Sequence, residues 1–414
     1  MKTKSGITIP DDFAPFIAED DGASRSPLQK IFLLAGDEVL GDTSLHLSNE
    51  QRALILDMSR CRTVECGFNL EACEECGCKR LHYNSCGNRN CSICGALSRE
   101  LWIDRRSAEV IDAPYYHAVF TCPHELNPLF LSNRSALFSL FHRCVGQSVV
   151  ELARDGKYLG ATPGVIQVLH TWNQELLFHP HVHVVISGGG LTDGHRLKTL
   201  ERNSFFIPES VMSSLFRGKF MAGLEKLYQS GEIVLPSGMA GLRDGHAWAA
   251  FRDSLYRKKW VAHVKETFNG RGNAIEYLGR YANKVAITGS RIVSVSDSEV
   301  VFTVRGEDGR QSERKTLAPA EFVRRFVLHV LPKGFQKIRY YGYLSNGTRR
   351  KNMILIFNLQ GSRKYIQGCK DASKSEILLS KWNIDVTACP HCRARAMITI
   401  YSTGRYSTVV RKLE

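Results

Sequence analysis

The chain has 414 residues, of which 43% are hydrophobic, and a formal net charge of +14. That length and apolar content predict two to three domains with real cores, and no apolar run reaches the length of a membrane span. Residues 1–50 hold nine acids and four bases, so the rest of the chain carries all of the positive excess, which points to a polyanionic partner, most simply nucleic acid.

The first 50 residues are predicted to be an arm, acidic and broken over Asp11–Asp21. They contain no secretory hydrophobic segment, so the expected location is cytoplasmic. The stretch SNEQRALILDMS, Ser48–Ser59, opens on a serine cap and continues with helical spacing. Eight cysteines follow, at 61, 66, 73, 76, 78, 86, 91 and 94. In an intracellular chain they read as metal ligands before disulfides. Cys73-x-x-Cys76 and Cys91-x-x-Cys94 are two knuckles, each able to present two thiolates, and together they predict one tetrahedral Zn²⁺ site. Cys61, Cys66, Cys78 and Cys86 are enough for a second site, with small buried hydrophobes as the plainer alternative. Arg80, Arg89, Arg99, Arg105 and Arg106 suit a module at residues 51–110 that touches DNA, although a run of charge also serves as a solvated face.

A helix is predicted over Ser98–Ile111, a strand over Tyr115–Thr121, one or two helices over Leu126–Leu159 and a strand over Gly164–Trp172. Cys122 and Cys144 have no knuckle partner and read as packing residues. Phe178–Leu191, FHPHVHVVISGGGL, reads as a buried strand. Residues two apart in a strand share a face, so His181 and His183 are a candidate pair of metal ligands; the plainer alternative is one core and one surface histidine. Gly188–Gly190 closes the strand and reads as a tight turn, with close backbone approach to DNA as the alternative. The order strand–helix–strand–strand predicts an α+β fold, a ferredoxin-like or RRM-like palm with helices on one side of an antiparallel sheet. It occupies residues 111–290, with a helical insertion at about 208–265.

Within that insertion Pro208–Tyr228 is a helix carrying Arg217 and Lys219 as candidate DNA contacts. The basic aromatic stretch Trp248–Val264 fits either a single-stranded DNA surface or a solvated amphipathic helix. A helix over Ile275–Ala286 contains YLGRY, which puts Tyr277 and Tyr281 on one face with Arg280 and Lys284 beside them. Both tyrosines are candidate nucleophiles, with two core aromatics as the alternative. Residues 291–414 are predicted to be β-rich, with hairpin turns at Glu307-Asp308-Gly309 and Asn346-Gly347, a helix over Phe322–His329 and a strand over Lys333–Tyr343. Cys389-Pro390-His391-Cys392 is a lone knuckle whose partners must come from elsewhere, with Cys369 one candidate. There are no repeats and no phosphate-binding P-loop.

With those residues in view, the chain resembles the two-tyrosine rolling-circle transposases of the insertion sequence 91 family over about residues 50 to 350. The resemblance is carried by CRT at Cys61, the cysteine run ending YNSCGNRNCSIC, YHAVFTCPHEL, HTWNQELLFHPHVHVVISGGGL, FRGKF, YLGRYANKVAITGSRI and EFVRRFVLHVLPKGFQKIRYYG. It implies a HUH nuclease domain, in which a histidine pair on a strand and tyrosines on a helix cut single-stranded DNA, and a zinc module that helps to recognise element ends. This chain departs from the family pattern at Asn69 and Asn90, where histidines are usual; the extra cysteines at 66 and 78 are candidates to replace them.

The resemblance implies a third protein ligand beside His181 and His183. Gln174 is the first choice, with His179 and His117 as weaker candidates, around a Mg²⁺ or Mn²⁺ ion. Tyr277 or Tyr281 would attack the phosphorus to leave a 5′-phosphotyrosine, and the second tyrosine would permit strand exchange without ATP. The expected partners are single-stranded and element-end DNA, with no membrane. The competing readings are a replication initiator or relaxase of the same chemistry, and a non-catalytic zinc DNA-binding protein.

Overall fold

The computed structural model describes residues 26–91, 94–201, 207–266, 279, 285–305, 312–361, 372–404 and 411–412. It is an α+β protein in which every strand pairing among the described residues is antiparallel. None of the described helices is long and apolar enough to cross a membrane.

The helices are α1 (Pro27–Gly41), α2 (Asn49–Arg60), α3 (Gly95–Ser107), α4 (Asn127–Ser132), α5 (Arg134–Arg154), α6 (Glu209–Gln229), α7 (Gly245–Arg257), α8 (Pro319–Val327), α9 (Arg349–Leu359) and α10 (Lys374–Trp382). The strands are β1 (Phe68–Cys73), β2 (Lys79–Tyr83), β3 (Tyr115–Thr121), β4 (Thr162–Trp172), β5 (Phe178–Leu191), β6 (Leu197–Thr199), β7 (Val261–Glu266), β8 (Ile292–Val295), β9 (Val300–Arg305), β10 (Ser312–Leu317), β11 (Ile338–Gly342), β12 (Met397–Ser402) and β13 (Arg411–Lys412). They form a six-stranded sheet in the order β11-β4-β5-β3-β7 with β6 on β5, a three-stranded sheet β10-β9-β8, and a four-stranded sheet β13-β12-β1-β2.

The large sheet is built by strict alternation. Even positions of β5 (Val182, Val184, Ile186) and of β3 (Tyr116, Ala118, Phe120) enter one core with Val165 and Leu169 of β4. That core is closed by α5 and α6 through Phe138, Phe141, Phe216 and Phe220, each buried phenylalanine contributing about 1.5–3 kcal/mol by removal from water. Trp248 of α7 and Trp260 are buried in the same core. The basic aromatic stretch is therefore helix α7 followed by edge strand β7, with its two tryptophans turned inwards. The opposite parity, Ile166, Val168 and Val185, faces a second core under Met353, Ile356 and Phe357 of α9. Helices thus cover both faces, not one, because the segment after β11 returns across the sheet.

Three other expectations are revised. Asn346-Gly347 leads into α9, not into a second strand. Gly188–Gly190 does not turn the chain. These residues continue β5, and a Cβ at Gly190 would collide with the Thr162 backbone of β4, so the glycines serve strand-to-strand approach. Ser26 and Pro27 start α1, whose Leu28, Ile31, Phe32, Ala35 and Val39 are buried against α2, α8 and the small β8–β10 sheet. Part of the expected arm is thus core, while Asp11–Asp21 lies outside the described residues. The helix after Ser48 forms as expected, on a capping box with Gln51.

Candidate active site and cysteine centres

Alternation also places the histidines. His117 of β3, His170 of β4, and His181 and His183 of β5 all lie on the face away from α5 and α6. The hairpin register sets His170 directly opposite His181. The candidate ligand nitrogens of His170, His181 and His183 lie within 4.8 Å of one another. His170 stands 4.7 Å from His183 and 5.4 Å from His181, ring centre to ring centre.

Two of these rings are oriented by bonds on their far nitrogens. His181 Nδ1 donates to the carbonyl of His179 at 2.8 Å. His183 Nδ1 meets His117 Nε2 at 3.0 Å, both residues being buried. With Nδ1–H as the donor, each Nε2 lone pair is left for a cation, the usual arrangement of metal-bound imidazoles. His170 is stacked on Trp172 at 4.5 Å.

Gln174, the expected third ligand, does not fill that place. Its Oε1 accepts from the backbone N–H of Arg305 at 2.8 Å and its carbonyl accepts from Arg291 at 2.7 Å, so it ties the hairpin to the small sheet. His117 supports His183 without joining the cluster. The residue missed by sequence reasoning is His170. Its signal was present: folding HTWNQELLFHPH as a hairpin about Asn173, whose Oδ1 accepts from Glu175 N and Leu177 N, brings His170 across from His181.

The cluster opens into a cleft of about 530 Å³ lined also by Trp172, Gln174, His179, Arg291, Thr303 and Arg305. Trp172 separates it from a second pocket of about 380 Å³ lined by Arg89, Trp102, Phe335, Lys337 and Tyr340 among others. Lys337 Nζ sits 5.2 Å over the Trp172 ring. The expected DNA contacts Arg217 and Lys219 face elsewhere: they are on α6, on the opposite side of the sheet, where Arg217 bonds the Tyr256 carbonyl and Lys219 pairs with Glu151. Among the described residues, the arginines lining the cleft come from β9 and the turn before β8.

Tyr277, Tyr281, Arg280 and Lys284 lie outside the described residues. Gly279, between the tyrosines, is described: it is buried, and an added Cβ would collide with Ile103 of α3. Ile103 packs on the core that continues from the histidine face.

The cysteines divide differently from the expectation. One group is Cys61, Cys86, Cys91 and Cys94, the other Cys73, Cys76, Cys389 and Cys392. The two knuckles expected to share one site are thus parted, because β1 carries Cys73 and Cys76 away from Cys91 and towards the C-terminal strand β12. In the first group, Sγ–Sγ distances are 3.9 Å (Cys61–Cys91), 3.6 Å (Cys61–Cys94) and 3.5 Å (Cys86–Cys94). A tetrahedron of sulfurs at about 2.3 Å from zinc has edges of about 3.8 Å, so these residues fit that ion. The neighbouring Cys61 thiol is the first cause that holds Cys91 down to about 7 and lowers Cys94, while Cys61 and Cys86, which share their protons with them, are raised.

Cys66 joins neither group and is buried in the α1–α2 core. Cys78 lies beside the second group with its thiol directed to the Lys79 carbonyl, and burial raises its pKa. Cys369 lies outside the described residues. Asn69 is no substitute ligand: its side chain bonds Asn84, just after β2, and Ser402 of β12. Asn90 bonds Asn88 within its loop.

Comparison with known proteins agrees with this architecture. The model of a family described as "Putative transposase" matches residues 164–352, and that of a "Transposase zinc-binding domain" of insertion sequence 91 matches residues 32–122. A "Putative transposase y4qJ" of Sinorhizobium fredii is 36% identical over 86% of this chain and 90% of its own length. The transposase for insertion sequence element IS801 of Pseudomonas savastanoi pv. phaseolicola is 31% identical over 70% of each chain. No solved structure matches. With a histidine-bearing β4–β5 hairpin inside the first match and a complete cysteine tetrad inside the second, the chain belongs to the insertion sequence 91 family of transposases.

Proposed function

We propose that this transposase works by a rolling-circle mechanism, cutting and rejoining single-stranded DNA through a 5′-phosphotyrosine as a HUH nuclease. The observation that carries the reading is the cluster of His170, His181 and His183 at the floor of a cleft bordered by Arg291 and Arg305. A non-catalytic DNA-binding protein needs neither three converging imidazoles nor their supporting bonds. A cleft on one side of Trp172, with a pocket lined by Trp102, Phe335, Tyr340, Arg89 and Lys337 on the other, suits a single strand, whose bases need π-faces and whose phosphates need cations.

When bound, a divalent ion would supply Lewis-acid stabilisation of charge on the phosphate oxygens. His170, His181 and His183 would hold it. Three nitrogens favour Mn²⁺ or another first-row ion over Mg²⁺, which prefers oxygen ligands, so the third histidine narrows the expectation based on Gln174. The hydroxyl oxygen of Tyr277 or Tyr281 attacks phosphorus as the P–O3′ bond breaks. The tyrosine loses its proton and the leaving 3′ oxygen gains one. Arg280 and Lys284 lower the cost of the tyrosinate, whose ordinary pKa is near 10. Attack by another 3′-hydroxyl on the phosphotyrosine reverses the step. The ester conserves the energy of the broken bond, so no ATP is required.

The test is adduct formation on labelled single-stranded oligonucleotides from an element end, with Mn²⁺ and with EDTA. A covalent adduct that depends on metal is expected, absent in His181→Ala/His183→Ala. Equal adduct in that variant overturns the reading.

A further inference from the structure

We infer that Cys73, Cys76, Cys389 and Cys392 form a second zinc centre, built half from each end of the chain, that clasps the C-terminal segment onto the zinc-binding module. The matched zinc-binding family stops at residue 122, so half of this centre lies outside it. The inference is independent of the nuclease chemistry proposed above.

The two knuckles share one backbone frame. In the first, Cys73 N–H donates to the Cys78 carbonyl at 2.9 Å and Gly77 N–H donates back to the Cys73 carbonyl at 2.9 Å. In the second, Cys389 N–H donates to the Ala394 carbonyl at 2.8 Å and Arg393 N–H donates back to the Cys389 carbonyl at 3.0 Å. The residue after each second cysteine is left-handed, Gly77 at φ +69° and Arg393 at φ +65°. The left-handed Arg393 gives the second knuckle the same turn as its glycine counterpart, so each frame presents its two thiols on one side.

The two pairs of thiols meet. Cys73 and Cys392 are 3.6 Å apart, and so are Cys76 and Cys389. These distances are close to the edge of about 3.8 Å for four sulfurs around zinc and far longer than the disulfide bond of about 2 Å. The surrounding sheet supports the clasp. β12 pairs with β1 from Asn69↔Ser402 to Cys73↔Met397, and Glu74 N–H donates to the Ala396 carbonyl at 2.9 Å. Arg80 reaches the Val386 carbonyl at 2.8 Å. Cys78 is the nearby thiol outside the tetrad and serves as the internal control.

The two centres differ in access. Cys61, Cys86 and Cys91 are buried, whereas Cys76 and Cys392 are exposed. The clasp should therefore yield its ion to a chelator first, and with it the hold on β12.

The experiment uses the full-length chain and elemental analysis of zinc. In the His181→Ala/His183→Ala background, which removes the histidine cluster from the count, the chain should carry two ions, with Cys78→Ser added two, and with Cys389→Ser/Cys392→Ser added one. A single ion in that background, or no loss of zinc on adding the double serine change, overturns the inference. Should the variant fail to fold, thiol alkylation of wild type mapped by mass spectrometry decides the same question. With zinc present, Cys389 and Cys392 should be protected together with Cys73 and Cys76, and all four should become reactive together as chelator is added, before Cys61, Cys86, Cys91 and Cys94. Labelling of Cys389 and Cys392 at one rate with and without zinc refutes the clasp.

Discussion

Replacing His117 with phenylalanine removes the imidazole that meets His183 Nδ1. His117 Nε2 and His183 Nδ1 are 3.0 Å apart, their rings are nearly parallel at 12°, and the two residues are only 6% and 8% exposed. Phenylalanine keeps a planar ring in that place and removes the acceptor. Water has little access, so the Nδ1–H of His183 is left without its imidazole acceptor at a cost of about 1–3 kcal/mol. His183 can also change tautomer, which turns its lone pair away from the cluster. Either route weakens metal binding by about 10- to 100-fold, the range seen for partners of metal-bound imidazoles. The assay is calorimetric titration of the full-length protein with Mn²⁺ beside a nicking titration in Mn²⁺. The concentration for half-maximal nicking should rise by about 10- to 100-fold, with the rate at saturation nearly restored. His117→Gln, whose carboxamide oxygen can accept, should recover part of the loss. An unchanged half-saturation in His117→Phe would show that His117 is only a packing residue and that the cluster is not oriented through His183.

Tyr277→Phe/Tyr281→Phe should form no covalent adduct in a denaturing gel, whereas each single variant should keep adduct formation and at least one should lose two-end strand transfer; an adduct in the double variant places the nucleophile elsewhere. Trp172→Ala, measured with zinc-loaded protein and no added Mn²⁺ in the His181→Ala/His183→Ala background, should weaken single-stranded DNA binding by about 1–3 kcal/mol and leave duplex binding nearly unchanged, and equal losses for both would refute base stacking there. Burial pushes His142 down to about 3 and His329 down to about 4, so the folded chain binds fewer protons than the unfolded chain once the pH falls below about 6.5. The stability present above that pH should be lost as it falls towards 4 and 3, with a slope of about 1.4 kcal/mol per pH unit for each histidine. Urea unfolding at pH 7 and pH 5 checks this, and His142→Gln should flatten the slope; parallel slopes in variant and wild type would contradict it.

The α+β class, the histidine strand, the cap at Ser48 and the knuckles at Cys73, Cys91 and Cys389 were legible in the sequence because each depends on residues a few positions apart. Strand alternation alone puts His181 and His183 on one face, and a C-x-x-C pair brings its own two thiols together. Completing each set was a tertiary matter. His170 joins through the register of the β4–β5 hairpin, Arg291 and Arg305 through packing of the small sheet against it, and Cys389 meets Cys76 across 313 residues through the pairing of β12 with β1. Spacing says which residues can act as ligands. Which distant strand supplies the remaining ones depends on long-range pairing and burial, and that is why the sequence reading joined the knuckles at Cys73 and Cys91, which the fold places in different groups.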